Sequence, residues 1–201
     1  MPPDSNIHFY LNWAKERIDE MDAAVASLEA KLGEVRADLR TKANQALADL
    51  CKTRDAFKET IKKQAEANAV AWTNTKTQLE TDWARFETEV QKYVESFGTQ
   101  TKQQQTTFKV QADAQLKAWR DAADTLHAAA AQFAAERRSE IDATVTRMKA
   151  EAAAAEEKLQ RLNRAGTESW SALMAALTET RTVFDRANQA AREAFKKATA
   201  A

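Results

Sequence analysis

From Ile7 onward the apolar residues fall in alternating steps of four and three: Ile7, Leu11, Ala14, Ile18, Met21, Val25, Leu28, Leu32, Val35 and Leu39. Residues three and four apart share one face of an α-helix, so this run is a heptad seam of the kind a second helix covers. Beyond Leu39 one register recurs every eleven residues, through Leu50, Ile61, Trp72 and Trp83. A second row gives Phe86, Phe97, Phe108 and Trp119, and a third gives Leu162, Leu173, Phe184 and Phe195, with Trp170 on the same stripe. Eleven residues in three turns lie close to the relaxed helical repeat, so the later stripe runs nearly straight instead of supercoiling to the left. Large apolar side chains off the stripe are few, which predicts that each helix hides one narrow face.

Little in the chain interrupts such helices. Its 201 residues hold 3 Gly and 2 Pro, and both prolines, Pro2 and Pro3, precede the first periodic residue. The best place to reverse direction is Phe97-Gly98-Thr99-Gln100-Thr101, because glycine takes the left-handed position that ends many helices. The pattern therefore predicts an all-α protein, an elongated coiled coil formed as a long antiparallel helical hairpin in a multi-helix bundle. Its first arm covers about 7–97, the turn about 98–107 and the second arm about 108–198, all within one elongated domain, 1–201. Folding about residue 101 sets Trp83 opposite Trp119, Phe57 opposite Val145, Ile61 opposite Ile141 and Ile7 opposite Phe195. The hendecad phase also passes through Phe97 and Phe108 unbroken, which leaves one continuous rod open. Gly166 lies on the stripe between Leu162 and Trp170 and is expected to face the seam and permit close helix approach, although Thr167 or Ser169 is placed to cap a new helix there. Gly33 is read as lying off the seam.

Charge narrows the choice of partner. Thirty Lys and Arg balance thirty Asp and Glu, so no net field draws the chain to nucleic acid, and nucleic-acid binding is not expected. The halves are mildly complementary: residues 1–100 carry 14 basic and 17 acidic groups, net −3, and residues 101–201 carry 16 and 13, net +3. The start, MPPDSNIHFYLNW, has neither the basic nor the apolar region of a secretory signal, and no apolar run approaches a membrane span, so the expected location is cytoplasmic.

Groups that carry chemistry are sparse. His8 and His127 are the only histidines and Cys51 the only cysteine. Asp124 and His127 share a helix face, but two ligands do not make a metal site. No phosphate-cradling glycine loop and no HExxH or CxxC pattern occurs. No enzymatic activity, catalytic residue, cofactor, metal or small-molecule substrate is expected. Arg54 and Asn68 interrupt the stripe, where a polar residue fixes register or lies with its stem along the seam. The five tryptophans, Trp13, Trp72, Trp83, Trp119 and Trp170, are too large for a slender two-stranded seam. They suit a junction of three or four helices, or an amphipathic ring at a lipid or polymer interface.

The Ala-rich tail FDRANQAAREAFKKATAA, from Phe184 to Ala201, resembles the amphipathic tails of phasins, which coat bacterial polyester granules. The eleven-residue repeats resemble those of exchangeable apolipoproteins, without the prolines such repeats carry. Either resemblance implies coating of a lipid or granule surface. The residues themselves favour a self-associating scaffold, a homo-oligomer whose contacts run along Leu28, Leu39, Leu50, Ile61, Trp72, Trp83, Phe86, Phe97, Phe108, Trp119, Leu162, Trp170, Leu173, Phe184 and Phe195.

Overall fold

The structure, a computed structural model, describes residues 5–65, 69–98 and 101–200, with side chains from residue 9 onward except 65, 69–74, 101 and 102. It is all-helical: α1 Ser5–Lys31, a 3-10 turn Leu32–Glu34, α2 Arg40–Ala65, α3 Ala69–Phe97, α4 Thr101–Ala130, α5 Ala135–Ala165 and α6 Trp170–Ala200. Among the described residues there is no strand. The continuous first arm expected over 7–97 is interrupted at Leu32–Leu39, and the second is interrupted at 131–134 and 166–169.

The breaks at 32–39, Gly98, 131–134 and 166–169 have local causes. Val35 leaves the helix for an extended backbone (φ −68°, ψ 137°) and turns its side chain inward. The guanidinium of Arg40 donates to the carbonyls of Gly33 and Val35, both at 3.2 Å, which satisfies oxygens that the broken helix has released. At Gly98 the backbone N–H donates to the Val94 carbonyl at 2.8 Å, and a Cβ there would come within 2.4 Å of that oxygen. Glycine is required at this position by close approach. At 131–134 successive N–H groups donate three residues back, and Ala134 is extended. Phe133 is half-buried there, and its ring meets Phe195 edge-on at 5.8 Å. Gly166 has φ 68°, the left-handed position that closes α5, and Ser169 Oγ accepts from the Ala172 N–H at 3.2 Å to cap α6. Gly166 thus ends a helix and does not serve as a small residue in a continuous seam. Ser169 takes the capping place read from the sequence.

The chain divides into two compact units, Arg17–Gln111 and a discontinuous one made of Met1–Glu16 with Ala112–Ala201. In the first, which we call unit 2, α2 packs along α3. Lys58 Nζ reaches both oxygens of Asp22 at 2.7 and 2.8 Å, and the Cys51 thiol faces Glu29 at 3.8 Å, so α1 and α2 run antiparallel. In the other, unit 1, α5 packs along α6. Lys158–Glu179 and Lys197–Glu140 pair across them, the latter at 2.7 Å. The pairs Arg120–Glu156 and Lys149–Asp124 set α4 antiparallel to α5. The helices therefore fold back at 32–39, at 131–134 and at 166–169. Of the expected couples, Phe57 and Ile61 belong to unit 2 and Val145 and Ile141 to unit 1.

Candidate functional site: the buried helix seams

The stripe read from the sequence is largely the interior. Leu28, Leu50, Ile61, Trp83, Phe86 and Phe108 are buried in unit 2, and Trp119, Trp170, Leu173, Phe184 and Phe195 in unit 1. Leu39, Phe97 and Leu162 are half-buried. The side chain of Trp72 lies outside those described, as does Asn68. Trp119 is fully covered, its ring edge-on to Phe184 at 5.4 Å. Trp83 is 6% exposed, stacks on Phe86 at 6.0 Å and carries the Arg17 guanidinium 5.6 Å from its ring centroid.

The expectation of one narrow face per helix holds for α2 and α5. Helices α1, α4 and α6 are broader: on α1 the buried positions come in neighbouring pairs, Trp13 with Ala14, Glu20 with Met21, Ala24 with Val25 and Ser27 with Leu28. On α4 the pairs are Thr107 with Phe108, Gln111 with Ala112, Gln115 with Leu116 and Ala118 with Trp119. On α6 they include Thr180 with Arg181, Ala187 with Asn188 and Ala194 with Phe195. A second row of alanine and polar residues escapes a search for large apolar side chains. The signal that reveals it is the spacing of Gln103, Thr107 and Gln111, four apart beside the apolar row.

That polar row makes definite contacts. Within unit 2 the Thr107 and Ser27 hydroxyls share a buried hydrogen bond of 3.0 Å. Among the described residues Gln103 Nε2, Gln111 Oε1 and the Tyr93 hydroxyl find no hydrogen-bond partner, and burial pushes the Tyr93 hydroxyl pKa up. Within unit 1 the Gln115 amide donates to the Leu177 carbonyl at 3.2 Å and the Asn188 amide to the Phe9 carbonyl at 2.7 Å. Arg54, the polar interruption in the stripe, is held between Asp55 at 2.8 Å and Asp22 at 3.6 Å, a cross-helix contact to α1. Cys51 has its thiol pushed up chiefly by burial, and Glu29 beside it acts in the same direction, so thiolate is scarce at neutral pH.

No family model matches the chain, and no curated protein and no solved structure is similar to it. A half-open groove of about 310 Å³ lies between α4 and α5, floored by Ala123, Ala152 and Ala153. Its rim is closed by the ion pairs Arg120–Glu156 and Lys149–Asp124, leaving no unbalanced charge there for a ligand. Among the described residues no three of His, Cys, Asp and Glu gather as metal ligands, and no helix is long and apolar enough to cross a membrane.

Proposed function

We propose that this protein is a non-enzymatic scaffold that associates with copies of itself through helix-on-helix seams, building an elongated coiled-coil assembly. The observation that carries this reading is the kind of contact the chain makes: helices of 26 to 31 residues laid along one another on repeating apolar rows. A copy of the chain offers the same rows at the same period, so a seam satisfied within one chain is equally satisfied between two. Trp83 and Trp119 are covered, so on this reading exchange of equivalent helices, and not these two rings, brings copies together. Sedimentation across a concentration series tests the proposal, together with melting followed by circular dichroism. Dimers or larger species should appear at tens of micromolar, with a melting temperature that rises with concentration. A monomer throughout, melting at one temperature, refutes it.

The second reading is a coat on a lipid or polymer surface. What favours it is the set of buried polar groups without partners, Gln103, Gln111 and Tyr93 in unit 2 and the indole N–H groups of Trp119 and Trp170 in unit 1. Each is a cost of the closed state that opening onto a wet interface would relieve. Flotation with zwitterionic and anionic vesicles tests it. Robust flotation with blue-shifted tryptophan emission would put this reading first.

A further inference from the structure

We infer that the α4–α5 groove of unit 1 is a docking face for the same groove of a second copy, the two meeting across a two-fold axis. The inference rests on the self-association reading above and adds a face on which copies meet without either one opening. The four charges on the groove's rim alternate in sign. Along α4, Arg120 is followed one turn later by Asp124. Helix α5 runs the other way and sets Glu156 beside Arg120 and Lys149 beside Asp124, the second pair at 2.7 Å. Round the rim the signs therefore run plus, minus, plus, minus. A two-fold axis lying in the plane of such a face exchanges neighbouring corners, so each charge of one copy lies over an opposite charge of the other. This holds whether the axis runs along the helices or across them. A rim of one sign would repel its own copy, and a rim with one sign on each helix would match itself about only one of the two axes.

The rim is accessible and the floor admits close approach. The side chains of Arg120, Lys149 and Asp124 are 52%, 49% and 71% exposed. Exposed pairs of this kind hold weakly in water, so they are readily shared with a second copy. On the floor Ala123 and Ala152 are buried and Ala153 is exposed. Side chains this small let helices of two copies pack at the near end of the usual spacing, about 8 Å between axes. The alternation also selects the occupant: a nucleic acid, or a peptide of one charge sign, meets as much repulsion as attraction there, whereas a copy meets attraction at every corner.

The test is charge reversal in the full-length chain. Arg120→Glu with Lys149→Glu makes the rim wholly acidic, and Asp124→Lys with Glu156→Lys makes it wholly basic. Circular dichroism checks that each variant keeps its helices, and sedimentation reads association at tens of micromolar. Each variant alone should associate about tenfold or more weakly than the unmodified chain, since like charges then face each other. An equimolar mixture of the two should recover association, and added salt should weaken it. Ala153→Arg leaves all four rim charges in place and blocks close approach, so it should lose the same association, and it carries the test if a reversal variant does not fold. Association of the unmodified chain that survives Ala153→Arg, or that is lost in both reversal variants and not recovered on mixing them, overturns this inference and leaves the self-association reading standing. An unmodified chain that is monomeric at every concentration removes both.

Discussion

Replacing Trp119 by alanine tests the interior of unit 1 at a large, fully buried side chain. Trp119 is fully buried and lies in one cluster with Ile141, Val145, Met148 and Phe184. Truncating such a residue costs about 3–5 kcal/mol through lost transfer energy and the cavity left behind. The edge-on pairing with Phe184 contributes about 0.5–1.5 kcal/mol of that. One term works the other way: the indole N–H has no hydrogen-bond partner, and removing an unmet buried donor returns about 1 kcal/mol or more. The net expectation for Trp119→Ala is a loss of about 2–4 kcal/mol. Trp119→Phe keeps a ring against Phe184 and deletes the orphan donor, so it should cost about 1 kcal/mol or less. Urea unfolding followed by far-ultraviolet circular dichroism reads both, with an unchanged denaturant slope as the check that only stability moved. An alanine cost under about 1 kcal/mol, or a phenylalanine variant as damaged as the alanine one, would show that Trp119 is not packed as described.

The polar row gives opposite signs at neighbouring sites: Gln111→Leu should raise the unfolding midpoint by removing an unmet acceptor, and Thr107→Val should lower stability by about 1 kcal/mol by stranding the Ser27 hydroxyl. The glycines separate by the space around them: a Cβ at Gly33 meets nothing within 4 Å, whereas one at Gly98 meets the Val94 carbonyl at 2.4 Å, so melting curves should show Gly33→Ala near neutral and Gly98→Ala clearly destabilised. Asp121 is held below the ordinary carboxylate range by a hydrogen bond from Lys117 and then one from Lys15. Because its folded pKa is the lower one, its stabilisation is complete above about pH 4 and fades as pH falls through the folded value. Acid titration of Asp121→Asn should lose that component, a few tenths of a kcal/mol for so exposed a pair.

Helix formation was legible because alternating steps of three and four recur almost without a breaker, and periodicity of that kind admits one secondary structure. The partner of each helix was not. Rows with a shared eleven-residue period match at several offsets, so Ile61 suits Ile141 as well as it suits the neighbours it has within unit 2. The break at 131–134 carries no punctuating residue at all; AAAAQFAAE is a good helical sequence, overridden where the half-buried Phe133 ring packs edge-on against Phe195. Val35 sits in phase with the heptad run and stays buried, so its pattern is the same whether the helix continues or breaks. Gly166 was visible as a glycine on the stripe, but only the backbone angle distinguishes a close approach from a helix end. The breadth of α1, α4 and α6 was hidden because alanine and glutamine register weakly in any apolar count.

That hidden second row bears on how repetitive helices choose one alignment. Sliding α2 along α1 by one eleven-residue repeat leaves the apolar register nearly intact, since Leu39, Leu50 and Ile61 replace one another. The same slip takes Lys58 away from Asp22 and brings Leu47 or Ala69 to its place, losing the double contact at 2.7 and 2.8 Å. On α4 it would put Ala118 where Thr107 stands and strand the buried Ser27 hydroxyl. The exposed ion pair is worth well under about 1 kcal/mol in stability, and the stranded hydroxyl costs about 1–3 kcal/mol. Neither is large beside the apolar burial, yet the apolar burial is nearly equal in every register and so cannot decide between them. Alignment is set by the small terms that differ, which is why a seam of this kind tolerates buried polar residues that an interior optimised for stability alone would replace.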